Sequence, residues 1–245
     1  MNIGIVFAGG TGQRMNSKDI PKQFLMVDGK PIIIHTLEKF SNHKDVDMVV
    51  IACLEAWIGK LEELLEEYRI KKVKAIVPGG SSGHESIHNA LMKANEYAKE
   101  DDIVLICDGV RPLVSEQLIT NCIQHTIKYG SAVPVTPSID SVLWSSDGNN
   151  CAKSLPRSEL FVTQAPQGYY IKTILWAHKE AEQRGVLNPI SSSELLIELG
   201  ETVHLFLGER ENIKVTTPED LHALRASYYY EHYKKFVEEE IQMQQ

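Results

Sequence analysis

Short apolar runs recur along the chain as IGIVFA (3–8), MVVIACL (48–54), VKAIVP (73–78), IVLIC (103–107) and SAVPV (131–135). Their continuous apolar character suits strands buried on both faces rather than strands with one wet side. Amphipathic stretches at 31–41, 55–69, 84–99 and 115–129 separate them, and this alternation predicts helices crossing over a parallel sheet. The fold class that follows is α/β: a three-layer core with a mostly parallel sheet and ligand loops at the carboxyl ends of its strands.

The first run leads directly into AGGTGQRM, and PKQF follows at 21–24. Glycines at a strand exit let successive N–H groups turn inward with no Cβ in the way, forming a nest for anionic oxygens. Arg14 adds a forked pair of donors and Lys22 a mobile point charge, so the stretch reads as a polyphosphate cradle. A dinucleotide fingerprint would need a third glycine, but Gly10-Thr11-Gly12 is followed by Gln13, Arg14 and Met15; no P-loop tetrad is present either. On the glycines alone, a plain glycine-rich turn with a solvated arginine stays open. With 25 basic and 33 acidic residues the net charge is −8, so an anion must be held by a local positive site. Nonspecific nucleic-acid binding is not expected.

The rhythm breaks at 136–168. SVLW, SSDGNN and further strand-like residues predict a hairpin or arm with a polar turn at 145–150, and an arm of this length suits packing against a second subunit. Helical pattern returns at 169–184 and 191–199, VHLFL (203–207) reads as a strand, and Thr217-Pro218-Glu219-Asp220 signals the start of a last helix. The tyrosines at 228–230 read as packing and surface residues. The chain is expected to form one domain over 1–245. Cys53, Cys107, Cys122 and Cys151 show neither CxxC nor metal-ligand spacing; the first three lie in apolar stretches and read as buried thiols, Cys151 has a more polar context, and the set fits a reducing cytoplasm. The apolar start is too short for a signal peptide, and no stretch approaches the ~20 apolar residues of a membrane span.

AGGTGQRM with PKQF resembles the cytidylyltransferases that join CTP to a polyol phosphate, among them the ribitol-5-phosphate and 2-C-methyl-D-erythritol 4-phosphate enzymes. GGSSGHES (79–86), CDGVRP (107–112), TQAPQ (163–167) and ENIKVTTPEDL (211–221) fall in the family's order, so the resemblance spans nearly the whole chain. It implies a Rossmann-like nucleotidyltransferase fold, Mg2+ as cofactor, and a homodimer built on the arm. The implied reaction is attack by a substrate phosphate oxygen on the α-phosphorus of CTP, with release of pyrophosphate.

The resemblance also distributes roles. Ala8, Gly9, Gly10, Thr11 and Gly12 would wrap the CTP phosphates, while Arg14, Lys22 and Lys214 would stabilise the reacting phosphates. Gly79, Gly80, Ser81 and Ser86 would read cytidine; by residue type alone the same stretch reads as a small-residue turn into a helix capped by Ser86. Asp108 would bind the metal, although an Asp at a strand end also serves as a loop cap. Asp140, Ser141 and Arg157 would contact the polyol phosphate. Arg111 reads as structural, and Glu211 as a solvated loop residue or a group near the metal.

Three departures stand out. Relatives carry an arginine where this chain has Gly83, followed by His84, which reads as an exposed helix-start histidine. They carry a threonine at Ala165, and a Thr-Asp pair where this chain reads ISSSE (190–194). AGGTG and PKQF look more like the ribitol enzymes of the family, a resemblance that implies D-ribitol 5-phosphate as acceptor. The alternatives are 2-C-methyl-D-erythritol 4-phosphate, a sugar-1-phosphate nucleotidyltransferase with another nucleotide, and a CTP-binding regulator without turnover.

Overall fold

A computed structural model describes residues 1–10, 20–186 and 189–243. Strand β1 (Asn2–Ala8) is followed by a 3-10 turn (Lys22–Phe24) and a small hairpin, β2 (Met26–Val27) and β3 (Lys30–Pro31), leading into α1 (Ile32–Asn42). Next come β4 (Met48–Cys53), α2 (Ile58–Glu67), β5 (Val73–Pro78), α3 (Gly83–Asn95), β6 (Ile103–Asp108), α4 (Glu116–Tyr129) and β7 (Ser131–Pro137). The arm holds β8 (Leu143–Trp144) and β9 (Lys153–Ser154), after which β10 (Phe161–Thr163) and β11 (Gln167–Tyr170) return to the sheet. The chain continues through α5 (Ile171–Arg184), α6 (Ser192–Glu198), β12 (Leu205–Leu207) and α7 (Pro218–Met243).

All five runs expected as strands lie in the main sheet. β5, β4, β1 and β6 are parallel neighbours in that order. β4 and β6 are buried at every residue, as strands covered on both faces must be. Side chains alternate between two cores: Val49 and Ile51 pack with α1 and α4 residues such as Leu37, Phe40 and Leu118, while Val50 and Ala52 join Ile87, Leu91 and Ile174 of α3 and α5. Truncating a fully buried ring such as Phe40 would cost about 3–5 kcal/mol.

The sheet reverses beyond β6. β11 runs antiparallel to β6, with Gln167 opposite Ile106, and antiparallel to β7. The expected helix at 169–184 therefore begins later, at Ile171, because Gln167–Tyr170 is drawn into the gap between β6 and β7. β10 also pairs antiparallel with β7, and a two-residue slip in register separates it from β11. β12 runs parallel to β7 on its other edge.

Local signals explain the helix boundaries. Ser115 caps α4 by accepting from the Leu118 N–H, and Gly130 closes that helix at φ 83°, a left-handed conformation that disfavours other residues. At α7, Asp220 accepts from the N–H groups of Thr216 and Thr217, and the Asp220 N–H donates to the Thr217 hydroxyl at 3.4 Å. A third core of Val27, Ile32, Val110, Val215, Leu221 and Leu224 fixes this helix to the body. Tyr228 donates or accepts at His35 Nδ1 at 3.0 Å, whereas Tyr229 and Tyr230 are exposed. Cys53, Cys107 and Cys122 are buried and Cys151 is exposed; none is in a disulfide. No helix among the described residues is long and apolar enough to cross a membrane.

Candidate active site

The carboxyl ends of β1, β4, β5 and β6 lie together at one end of the sheet. Ala8 ends β1 in register with Cys53 of β4, and Phe7 lies opposite Asp108 of β6. Gly9 and Gly79, after β1 and β5, meet backbone to backbone. A Cβ on Gly9 would fall 2.5 Å from Ser86 Oγ, and one on Gly79 would fall 2.9 Å from the Gly9 Cα. Only glycine permits this approach. The Gly79 N–H donates to the Cys53 carbonyl at 2.7 Å, and the Gly80 N–H to Ser86 Oγ at 3.0 Å.

Ser86 does not cap α3, contrary to expectation. Ser82 is the N-cap and accepts from the Glu85 N–H, while the Glu85 carboxylate accepts from the Ser81 N–H and hydroxyl. This reciprocal pattern is a capping box, displaced by one residue so that Ser81 closes it. The Ser86 hydroxyl instead donates to the Ser82 carbonyl at 2.8 Å and ties the Gly79–Gly80 turn to the helix. His84 is not simply exposed: its ring stacks on the buried His178 with centroids 4.3 Å apart.

Asp108 is buried, and both its oxygens are engaged. Arg111 Nε donates to Oδ2 at 2.9 Å, and Lys214 Nζ lies 2.6 Å from Oδ1. Burial alone would push the carboxyl up, but the charges and hydrogen bonds of Arg111 and Lys214 hold it below the usual carboxylate range. Arg111 is itself buried and donates to the Asn212 carbonyl at 2.8 Å, a structural lock as expected. The Lys214 side chain is 42% exposed and opens to the pocket.

That pocket, of about 190 Å3, has Asp108, Arg111 and Lys214 on one wall and Gln164, Ala165, Gln167, Ser191 and Ser192 on the other. The second wall is held from behind. Gln167 Oε1 accepts from the Ser193 N–H at 3.1 Å and from the Tyr169 hydroxyl at 2.9 Å, and Ser191 and Ser193 hydroxyls meet at 2.9 Å. Asn212 joins the two walls, its Nδ2 donating to the Ala165 carbonyl at 2.7 Å.

The structure thus brings Ala8, Gly9, Gly10, Gly79, Gly80, Ser81, Ser86, Asp108 and Lys214 to the carboxyl end of the sheet, and Lys22 begins the 3-10 turn after the glycine stretch. Thr11, Gly12 and Arg14 lie outside the described residues. Asp140, Ser141 and Arg157 do not line the pocket; they sit on the exposed arm, where Arg157 donates to the Ile139 carbonyl at 3.4 Å. Glu211 lines a different cavity, against α7. Sequence reasoning missed Gln23 and Asn212, neutral amides whose role is to hold backbone; their only signal was their place inside PKQF and ENIKV. Among the described residues no three His, Cys, Asp or Glu are placed to hold a metal. A single strand-end carboxylate nevertheless suits Mg2+ that takes its other ligands from phosphates and water.

A mostly parallel sheet with a glycine turn, an acidic strand end and an adjacent lysine at the carboxyl ends of its strands suits a nucleotidyltransferase. Comparison with known proteins narrows the class. The chain belongs to the 2-C-methyl-D-erythritol 4-phosphate cytidylyltransferase (IspD) family, whose model matches residues 3–231. It is 41% identical over 228 residues to a ribitol-5-phosphate cytidylyltransferase of Streptococcus agalactiae serotype V, covering 93% of this chain and 95% of that one. It is 37% identical over 225 residues to a 2-C-methyl-D-erythritol 4-phosphate cytidylyltransferase of Clostridium acetobutylicum, covering 91% and 95%. Among solved structures, the 2-C-methyl-D-erythritol 4-phosphate cytidylyltransferase of Thermus thermophilus superposes with a TM-score of 0.72 at 27% identity, covering 92% of this chain and 98% of that one. The 4-diphosphocytidyl-2C-methyl-D-erythritol synthase of Anaerococcus prevotii has a TM-score of 0.79 at 24% identity, covering 93% and 96%, and supports the fold.

Proposed function

We propose that the chain transfers the cytidylyl group of CTP to D-ribitol 5-phosphate, giving CDP-ribitol and pyrophosphate. The observation that carries the acceptor choice is the 41% identity, over nearly the full length, to an enzyme named for that substrate. The serines of the second pocket wall suit a polyhydroxylated acceptor.

In this reading a phosphate oxygen of the acceptor attacks the α-phosphorus of CTP, and the bond from that phosphorus to the bridging oxygen of pyrophosphate breaks. No enzyme nucleophile is required, so catalysis is positioning and charge neutralisation. The glycine turn holds the triphosphate, and Lys22 and Arg14 balance the charge that grows on the α-phosphate and leaving group. Arg111 fixes Asp108 Oδ2, which leaves Oδ1 to face the nucleotide once Lys214 swings from it to a phosphate. Mg2+ held by Asp108 would supply further charge neutralisation when bound.

The exposed apolar residues of the arm, with Trp144 56% and Val162 57% accessible, support a homodimer in which Asp140, Ser141 and Arg157 of one subunit complete the acceptor site of the other. The free cysteines fit a reducing cytoplasm, and CDP-ribitol would feed cell-wall or capsular polymers.

Pyrophosphate release from CTP and Mg2+ should be measured with ribitol, methylerythritol, erythritol and ribulose phosphates. Ribitol 5-phosphate is expected to be fastest. Faster turnover with the methylerythritol substrate would overturn the acceptor assignment, and tight CTP binding with no pyrophosphate from any acceptor would indicate a regulator.

A further inference from the structure

Beyond Ala8 the chain leaves the sheet, and its carbonyls lose their ladder partners. Two of them turn to one side chain. Gln23 Nε2 donates to the Ala8 carbonyl at 2.7 Å and to the Gly10 carbonyl at 3.2 Å. Gln23 is only 1% exposed, and its position is fixed on both sides. Pro21 sets the turn, with the Phe24 N–H donating to the Pro21 carbonyl at 2.8 Å, and the Phe24 ring stacks on Trp57 with centroids 4.6 Å apart.

The peptide unit is planar and trans, so a carbonyl and the following N–H point in opposite directions. Drawing the Ala8 carbonyl toward Gln23 therefore aims the Gly9 N–H away from Gln23. An oligophosphate site needs this polarity, with N–H groups presented and carbonyl oxygens, which would repel the ligand, taken out of view. We propose that Gln23 is the positioning residue of the glycine turn: by holding the Ala8 and Gly10 carbonyls it orients the Gly9 N–H to bind a CTP phosphate. The assignment rests on the nucleotide reading above. It gives PKQF two adjacent functions, with Lys22 carrying charge and Gln23 carrying none.

The test uses the full-length protein, with CTP and Mg2+ but no acceptor, followed calorimetrically. Gln23→Met removes both donors, and the Kd for CTP is expected to rise about 10- to 100-fold, the effect of leaving buried carbonyls unpaired. The KM for ribitol 5-phosphate should change less than about threefold, because the acceptor wall is untouched. Gln23→Glu keeps the shape but sets a carboxylate against two carbonyls. Burial raises such a group's pKa, so protonation restores one donor, and the CTP deficit should shrink severalfold between about pH 8 and pH 6. Gln23→Met should show no such recovery.

Hydrogen exchange on the unmodified protein gives a reading that does not depend on variant folding: the Gly9 amide should slow when CTP binds. CTP binding without Gly9 protection, a folded Gln23→Met protein with Kd within about twofold of wild type, or a Gln23→Glu deficit independent of pH would each overturn the assignment. Failure of the wild-type protein to bind CTP would overturn the nucleotide reading instead.

Discussion

Lys214 Nζ lies 2.6 Å from Asp108 Oδ1, although the two residues come from the loop before α7 and the end of β6. The pair places a partly exposed ammonium and a buried carboxylate at the mouth of the pocket. Lys214→Met is expected to cut kcat about 100- to 1000-fold, as for the loss of one preorganised charge donor. Lys22→Ala should do the same. Both proteins should still melt cooperatively, Lys22→Ala near the wild-type temperature and Lys214→Met below it, because the latter leaves the buried Asp108 with Arg111 as its remaining charge partner. Pyrophosphate-release kinetics with parallel calorimetry check this, and near-normal turnover would remove the lysine concerned from the mechanism.

Gly79→Ala tests the contact between the two glycine turns. The new methyl would sit 2.9 Å from the Gly9 Cα, 3.2 Å from Ser86 Oγ and 3.4 Å from the Cys53 carbonyl, and the nearest of these is backbone that cannot rotate away. Overpacking of this kind costs about 1–3 kcal/mol, which lowers Tm by about 2–4 °C per kcal/mol in a chain of this size. CTP affinity should fall together with Tm. An unchanged melting curve would mean that the turns separate readily.

Acid should destabilise the protein through His178. The ring is buried and stacked by His84, with His88 5.1 Å away, and neither ring nitrogen has a hydrogen-bond partner among the described residues. Burial first, then the neighbouring His84 and His88, depresses its pKa from 6.5 to about 3. The unfolded chain therefore binds the proton more readily than the folded one. This contribution to stability is complete above about pH 6.5 and is lost as the pH falls toward 3, at about 1.4 kcal/mol per unit within that window. His178→Leu should flatten the dependence in urea titrations at several pH values, and an equally steep variant would place the acid sensitivity elsewhere.

The arm provides a test of assembly. Ile139, Leu143, Trp144 and Phe161 are all exposed in the single chain. Light scattering should give a dimer, and Trp144→Glu should shift it toward monomer with loss of turnover. Mixing Arg157→Ala with Lys214→Ala, each inactive alone, should restore partial activity, because a mixed dimer has one intact site. No recovery on mixing would mean that the arm does not act across the interface.

Much of the core was legible in the sequence because fully buried strands leave an unambiguous apolar run, as MVVIACL and IVLIC do. The return of the arm was harder to read. QGYY is short, and its pairing with β6 and β7 depends on residues more than twenty positions away, so it merged with the helical pattern that follows. Asp108 and Lys214 were visible as charged residues in recognisable motifs. Gln23 and Asn212 were not, since an amide that braces backbone looks like any loop amide until its carbonyl partners are known. The histidine cluster was hidden for a similar reason, because His178 lies on a different helix from His84 and His88.

The reversal of direction between β6 and β11 has a further consequence for how this scaffold can diversify. The donor half is assembled from strand exits, whereas Gln167 stands at a strand entry and the serines at 191–193 belong to a separate short helix. On the reading proposed above, the acceptor-facing and nucleotide-facing segments therefore come from different parts of the chain and meet through Asn212, whose Nδ2 donates to the Ala165 carbonyl. On that reading, substitutions at 164–167 and 190–193 would retune acceptor choice while the strand exits keep their geometry.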